Sequence, residues 1–342
     1  MAPVMSHWER VRAALKGEDV DRVPISLWRH WPVEDETPQG LAAATIRWQQ
    51  DYDFDVVKLT PTGTYGIEDW GAETTYLPND HGVRTIVQYG VTSVEQWPSL
   101  EQLDVTRGYL SNQIAAVQLV AEELRGSVPI LQTVFSPLTT ARKLAGDRIF
   151  SDLRLRAETF KQGLQIIAET TARFALESVR AGAHGLFFAT QCATYRLLSE
   201  AEYREFGETY DRIVLDAVRP EAEIILIHAH GEDIMFDLAT SYPADAINWH
   251  DRITWPSFKE AHERFSGLLV GGINEWQTLL KGPPAAIQAE IQDAMAQTGG
   301  LRSVIGPGCV LPINTPPQHI RAARKAVWQR PEYSRENERS KS

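Results

Sequence analysis

Ile224-Ile225-Leu226-Ile227-His228-Ala229-His230-Gly231 is a short apolar run that ends in two imidazoles and a glycine. Its length, its branched side chains and its polar stop are those of a strand buried on both faces. Seven further runs have the same form: Val23–Trp28, Asp55–Leu59, Val128–Phe135, Gly185–Ala189, Ala246–His250, Leu268–Gly272 and Ser303–Gly306. Most intervals between them carry a helical pattern, as in Glu202–Ala217, Pro256–Phe265 and Pro284–Gln297. Strand and helix alternating eight times predict an α/β fold, a single-domain (β/α)8 TIM barrel. Ser6-His7-Trp8-Glu9 has capping-box spacing and predicts a short leading helix that stops at Gly17.

The interval after the second strand is longer. Thr74–Leu77 and Val83–Tyr89, around Pro78-Asn79-Asp80-His81-Gly82, read as an inserted hairpin at the barrel rim. The barrel domain is expected over residues 1–329, with a polar, flexible tail over 330–342.

Composition narrows the function classes. The 342 residues are 43% hydrophobic and 23% charged, a globular balance. The formal charge of −11 offers no broad positive surface for nucleic acid or anionic lipid. No run approaches the roughly 20 apolar residues of a membrane span, and the start lacks the apolar core of a signal peptide. With only Cys192 and Cys309, there is no disulfide scaffold. A cytoplasmic enzyme acting on a small molecule is the expectation.

In parallel barrels the reactive groups gather where strands end and the following loops begin. Those positions hold Arg29 and His30, Thr60, Ser136, Gln191, His228 and His230, Asn248 and His250, Asn274 and Glu275, and Cys309. Residues two apart on a strand share a face, so His228 and His230 point the same way, as do Asn248 and His250 on the next strand. A zinc ion on His228, His230 and Cys309 would keep an open fourth position, the mark of a catalytic site. The alternative for His-x-His is a pair of hydrogen-bonded buried histidines, and for Cys309 alone a small buried hydrophobe. His250 is an extra ligand or a base. Arg29 is a catalytic or substrate-carboxylate partner, or else part of a rim salt bridge. Gln191, Asn248, Asn274 and Thr60 are the candidate substrate-binding residues. Asp69 is a possible acid/base or a solvated loop carboxylate.

The stretch Val270–Val327, with GGINEW and IGPGCVLPINTPPQHIRAARKAV, together with ILIHAHG, resembles the uroporphyrinogen decarboxylase superfamily. The likeness runs from RVPISLW to the last helix. It implies a (β/α)8 barrel, and it offers two main activities: the decarboxylation of haem synthesis, or zinc-dependent methyl transfer involving corrinoid and thiol substrates. The methyltransferase branch holds zinc with a His-x-Cys-Gly after one strand and a Gly-Cys after the last. His228 and Cys309 match that pattern, whereas His230 stands where the branch has cysteine. An imidazole in place of a thiolate leaves the ion one unit more positive and a harder Lewis acid. The decarboxylase branch uses an arginine-rich loop and an aspartate for the pyrrole nitrogens. Arg29 matches that loop only loosely, and Lys58-Leu59-Thr60-Pro61 carries no acid where the aspartate is expected. The resemblance therefore implies a zinc methyltransferase moving a methyl group from a corrinoid or small methylated donor to a thiol. Porphyrin decarboxylation and a non-catalytic corrinoid-binding barrel are the alternatives. A corrinoid protein partner and a homodimer are also implied.

Overall fold

The computed structural model describes residues 4–328, so the expected tail, 330–342, lies outside the described residues. Seven parallel strands form one curled sheet: β1 (Val57–Leu59), then, after an insertion, β4 (Ile130–Phe135), β5 (Gly185–Thr190), β6 (Ile224–Ala229), β7 (Ala246–Trp249), β8 (Leu268–Ile273) and β9 (Ser303–Pro307). Every strand pairs with the next of this series, the order expected of a TIM-type α/β barrel. β2 (Glu73–Thr75) and β3 (Thr85–Gln88) form the antiparallel hairpin inserted after β1.

The first of the eight expected strands, Val23–Trp28, is a correction. It is reduced to isolated parallel bridges, Ile25 with Ile305 and Arg29 with Leu311. The cause is local. Pro24 has no N–H to give, and the Ile25 N–H is diverted to the Asp55 carboxylate at 2.8 Å. The segment still links the two sheet edges, because Ser26 N donates to the Ile305 carbonyl and Asp55 N to the Ile25 carbonyl, each at 2.9 Å.

Side-chain alternation sorts the strands into an inside and an outside. On β6, Ile224 and Leu226 face the barrel interior with Leu131, Phe187, Leu268 and Val304, while Ile225, Ile227 and Ala229 pack outward under the helices. His228 continues the inward column at the strand's end. The leading helix, His7–Lys16, closes the opposite end of the barrel with Val11 and Ala14, and its Ser6/Glu9 capping box is formed as the spacing predicts. Beneath it, the fully buried Asp55 accepts from His7 at 2.9 Å and from Arg10 at 2.7 Å, with Arg22 on its other oxygen. Burial pushes this carboxyl up, but the hydrogen bonds from His7 and Arg22 outweigh it and hold the group well below the usual carboxylate range.

Candidate functional site

Inward columns from several strands end on one cavity of about 360 Å³, within the range of small-molecule sites. β6 contributes His228 and, just past its end, His230. The loop after β9 brings Cys309, and Gln191 follows β5. The hairpin roofs the cavity with His81, Val83, Arg84 and Ile86. Arg84 is itself committed there, donating to Thr74 Oγ1 at 2.8 Å and to Glu36 at 2.7 Å.

One ligand atom each from His228, His230 and Cys309 lies within 4.8 Å of the others. His228 Nε2 and His230 Nδ1 are 3.4 Å apart. Two nitrogens at the usual Zn–N distance on one tetrahedral ion stand about 3.3 Å apart, so the histidine pair already has the right span. The donor set of two imidazoles and one sulfur suits zinc.

The second layer fixes the first. Asn248, fully buried on β7, gives both amide hydrogens to carbonyls, Val270 at 2.8 Å and Pro307 at 2.9 Å. Its Oδ1 is therefore the acceptor facing His228 Nδ1 at 2.6 Å. That makes Nδ1 the protonated nitrogen of His228 and leaves the Nε2 lone pair directed at His230. Burial pushes both imidazoles down, His228 well below its ordinary value and His230 to about 4, so both rings are neutral near neutral pH. Burial pushes the Cys309 thiol up.

His250 stands behind the pair, its ring 5.2 Å from that of His230. Glu275 braces it, with Oε1 at 3.3 Å from His250 Nδ1 and Oε2 accepting from Gly308 N at 3.2 Å. Gly308 is a close-approach glycine, since a Cβ there would lie 2.8 Å from His250 Nδ1.

Thr60 and Gln191 line the cavity. Four other residues expected at the site are placed elsewhere. Arg29 lies outside the cavity, its guanidinium over Trp31 at 4.3 Å and donating to the Ile313 carbonyl, because it falls in the outward column of Val23, Ile25 and Leu27, while Trp28 and His30 face the interior. Asn248 braces His228 instead of facing the cavity. Asn274 caps the turn at Glu275–Leu279 by accepting from Trp276 N and Gln277 N. Asp69 likewise accepts from the backbone of Tyr109 at the start of the helix Gly108–Leu124. Two residues escaped sequence reasoning: Lys58, inward on β1, and Lys143, on the helix Pro137–Ala145. Lys58 had a signal, a lone cation in the apolar run Val56-Val57-Lys58-Leu59. Lys143 had none.

Fold and site together define an α/β-barrel enzyme with a His/His/Cys cluster at the mouth of its strands. The profile of the uroporphyrinogen decarboxylase (URO-D) family matches residues 6–329, and the chain belongs to that family. It is 25% identical over 334 residues to the methylcobamide:CoM methyltransferase MtaA of Methanosarcina barkeri, covering 92% of this chain and 95% of the relative. It is 26% identical over 240 residues to the uroporphyrinogen decarboxylase of Hahella chejuensis, covering 66% and 64%. The solved structure of a methyltransferase from Methanosarcina mazei superposes with a TM-score of 0.82 at 22% identity, over 94% of this chain and 98% of that one, which establishes the shared fold. Among the described residues no helix is long and apolar enough to cross a membrane.

Proposed function

We propose that the chain is a zinc-dependent methyltransferase that moves a methyl group from a corrinoid or small methylated donor to a thiol acceptor. The observation that carries this reading is the His228/His230/Cys309 cluster, all three of whose members line the cavity. Full-length similarity to a methylcobamide:CoM methyltransferase supports it.

Zinc bound by these three residues supplies Lewis acidity that lowers the pKa of an acceptor thiol. The remaining work belongs to the protein. His228 and His230 offer neutral lone pairs, and Asn248 holds the first of them in the required tautomer. His250, braced by Glu275, is the base beside the cluster and receives the proton released there. The cavity orients the acceptor sulfur. In the transfer, the sulfur forms the S–CH₃ bond as the methyl group leaves its donor, which keeps the bonding electron pair. A protein-bound corrinoid is the partner this scheme calls for when the donor is methylcobamide.

Porphyrinogen decarboxylation fits less well. Among the described residues no Asp or Glu lines the cavity, so the pyrrole N–H groups of a macrocycle would find no anionic partner there, and Lys58 and Thr60 are part of its lining.

The test is metal analysis of purified protein, followed by methyl transfer from methylcobalamin to a small thiol. About one zinc per chain is expected, with transfer lost on chelation, regained on adding zinc and absent in His228→Ala. Transfer that persists in the chelated protein, or a protein that does not retain zinc, overturns the reading.

A further inference from the structure

The end of β5 is gripped from outside the barrel. Phe187 and Ala189 face the interior, so Thr190, the last residue of the strand, points outward, and its Oγ1 lies 2.7 Å from the Tyr203 hydroxyl. Tyr203 gives its single proton to Asp211 Oδ2 at 2.7 Å, which leaves Thr190 as the donor to the phenol oxygen. Tyr242 donates to the same Asp211 oxygen at 2.8 Å. All four side chains are buried.

Two features of the sequence build this chain of hydrogen bonds. Tyr203 and Asp211 are eight residues apart, and in an unbroken α-helix they would be rotated by about 80° from one another. The π-helical turn Arg204–Glu208 between them adds a residue and brings them to within about 20°, onto one face. Gly207 makes room for the phenol ring, since a Cβ there would lie 2.6 Å from it.

The backbone of Thr190 reaches the cluster. Its carbonyl accepts from His230 N at 3.0 Å, and His230 is the first residue past the end of β6. On either side, the Ala189 carbonyl accepts from Ser136 N at 2.9 Å and Gln191 N donates to Thr139 Oγ1 at 2.8 Å. The end of β5 is therefore a fixed support, from which the backbone of His230 hangs by one bond.

We propose that Tyr203, braced by Asp211, is a positioning residue for His230: it fixes Thr190, whose carbonyl sets the backbone of His230 and with it the distance of that imidazole from His228 and Cys309. The role depends on the methyl-transfer reading only for the metal that the three residues would hold.

The test compares Tyr203→Phe with Tyr242→Phe. Each removes one hydrogen bond to the same oxygen of Asp211, so a merely structural network predicts equal effects. Only Tyr203 leads on to Thr190 and His230. Zinc affinity, measured by competition with a chromophoric chelator, should fall about tenfold in Tyr203→Phe and stay close to wild type in Tyr242→Phe. The cobalt-loaded Tyr203→Phe protein should show a shifted ligand-field spectrum, and Tyr242→Phe the wild-type one. Thr190→Val cuts the same bond from its other end and should reproduce the loss, whereas Thr190→Ser keeps the hydroxyl and should bind zinc nearly as wild type does. This pair reads the bond even where Tyr203→Phe does not fold. Equal zinc affinities in the two tyrosine variants, or a loss in Thr190→Ser as large as in Thr190→Val, overturns the role. Amide exchange of His230 in the metal-free protein gives a second readout, expected to be about tenfold faster in Tyr203→Phe and unchanged in Tyr242→Phe. If zinc fails to bind while this difference in exchange is found, the methyl-transfer reading falls and the positioning role stands. If zinc binds and neither affinity nor exchange separates the two tyrosines, the role falls and the reading stands.

Discussion

Replacing Asn248 with leucine tests whether the layer behind the cluster prepares it for metal. Asn248 makes three buried hydrogen bonds, one from His228 Nδ1 and one to each of the Val270 and Pro307 carbonyls. Leucine fills the space but leaves all three partners unsatisfied. At about 1 kcal/mol for each bond the loss is about 3 kcal/mol, or a fall of about 4 °C in the Tm of the metal-free protein. The effect on metal should be larger in proportion. Without its acceptor, His228 is free to place a proton on Nε2 or to rotate, and losing such a partner lowers metal affinity by about 10–100-fold. Asn248→Asp separates the two effects. It keeps an acceptor for His228 but sets an oxygen against the two carbonyls, so it should destabilise the fold as much while retaining more of the zinc affinity. Zinc affinity is measured by competition with a chromophoric chelator, and stability by thermal unfolding of the metal-free forms. If Asn248→Leu holds zinc within twofold of wild type, Asn248 does not set the tautomer of His228.

Three further outcomes follow from the same structure. His230→Cys should keep one metal per chain and bind it more tightly, and its cobalt-loaded form should gain thiolate-to-metal absorption in the near ultraviolet; an unchanged cobalt spectrum would show that residue 230 is not a ligand. Asp55→Asn should cost about 3–5 kcal/mol at pH 7 in denaturant unfolding, because it strips the counter-charge from buried Arg22 and leaves buried Arg10 with Asp21 alone. Asp55 has a depressed folded pKa, so its stabilisation is present above about pH 4 and is lost as pH falls further, and the gap between wild type and variant should close there. Asp211 has the opposite sign. It accepts from Tyr203 at 2.7 Å and Tyr242 at 2.8 Å, one of its oxygens has no partner, and burial raises its pKa to about 7. Wild type should therefore lose stability relative to Asp211→Asn as pH rises from about 4 to 7, and parallel unfolding curves at pH 5 and pH 8.5 would refute that.

Much of the site was legible because strand alternation is a local rule. It placed His228 and His230 on one face, and the glycine-rich turn after the last strand brought Cys309 to the same rim. The same parity makes Lys58 and Thr60 inward-facing, although an isolated lysine in a strand did not by itself announce a cavity. Alternation failed where a residue's partner comes from elsewhere in the chain. Asn248 shares the inward parity of His228, yet whether its amide meets substrate or backbone depends on the Val270 and Pro307 carbonyls, 22 and 59 residues away. The position of Arg29, by contrast, follows the same parity, which puts it outward with Val23, Ile25 and Leu27 while Trp28 and His30 face inward.

The sequence by itself determined the parallel barrel, the end of it where the candidate site lies, and the three residues that converge there. Each follows from short-range periodicity and from the rule that parallel strands end together. Only the tertiary structure decided which nitrogen of His228 is free, which neighbours brace His250, and that two lysines from separate elements share one cavity without an acid. Those facts depend on side chains far apart in the chain meeting at distances of a few ångströms, and no local pattern encodes such a meeting.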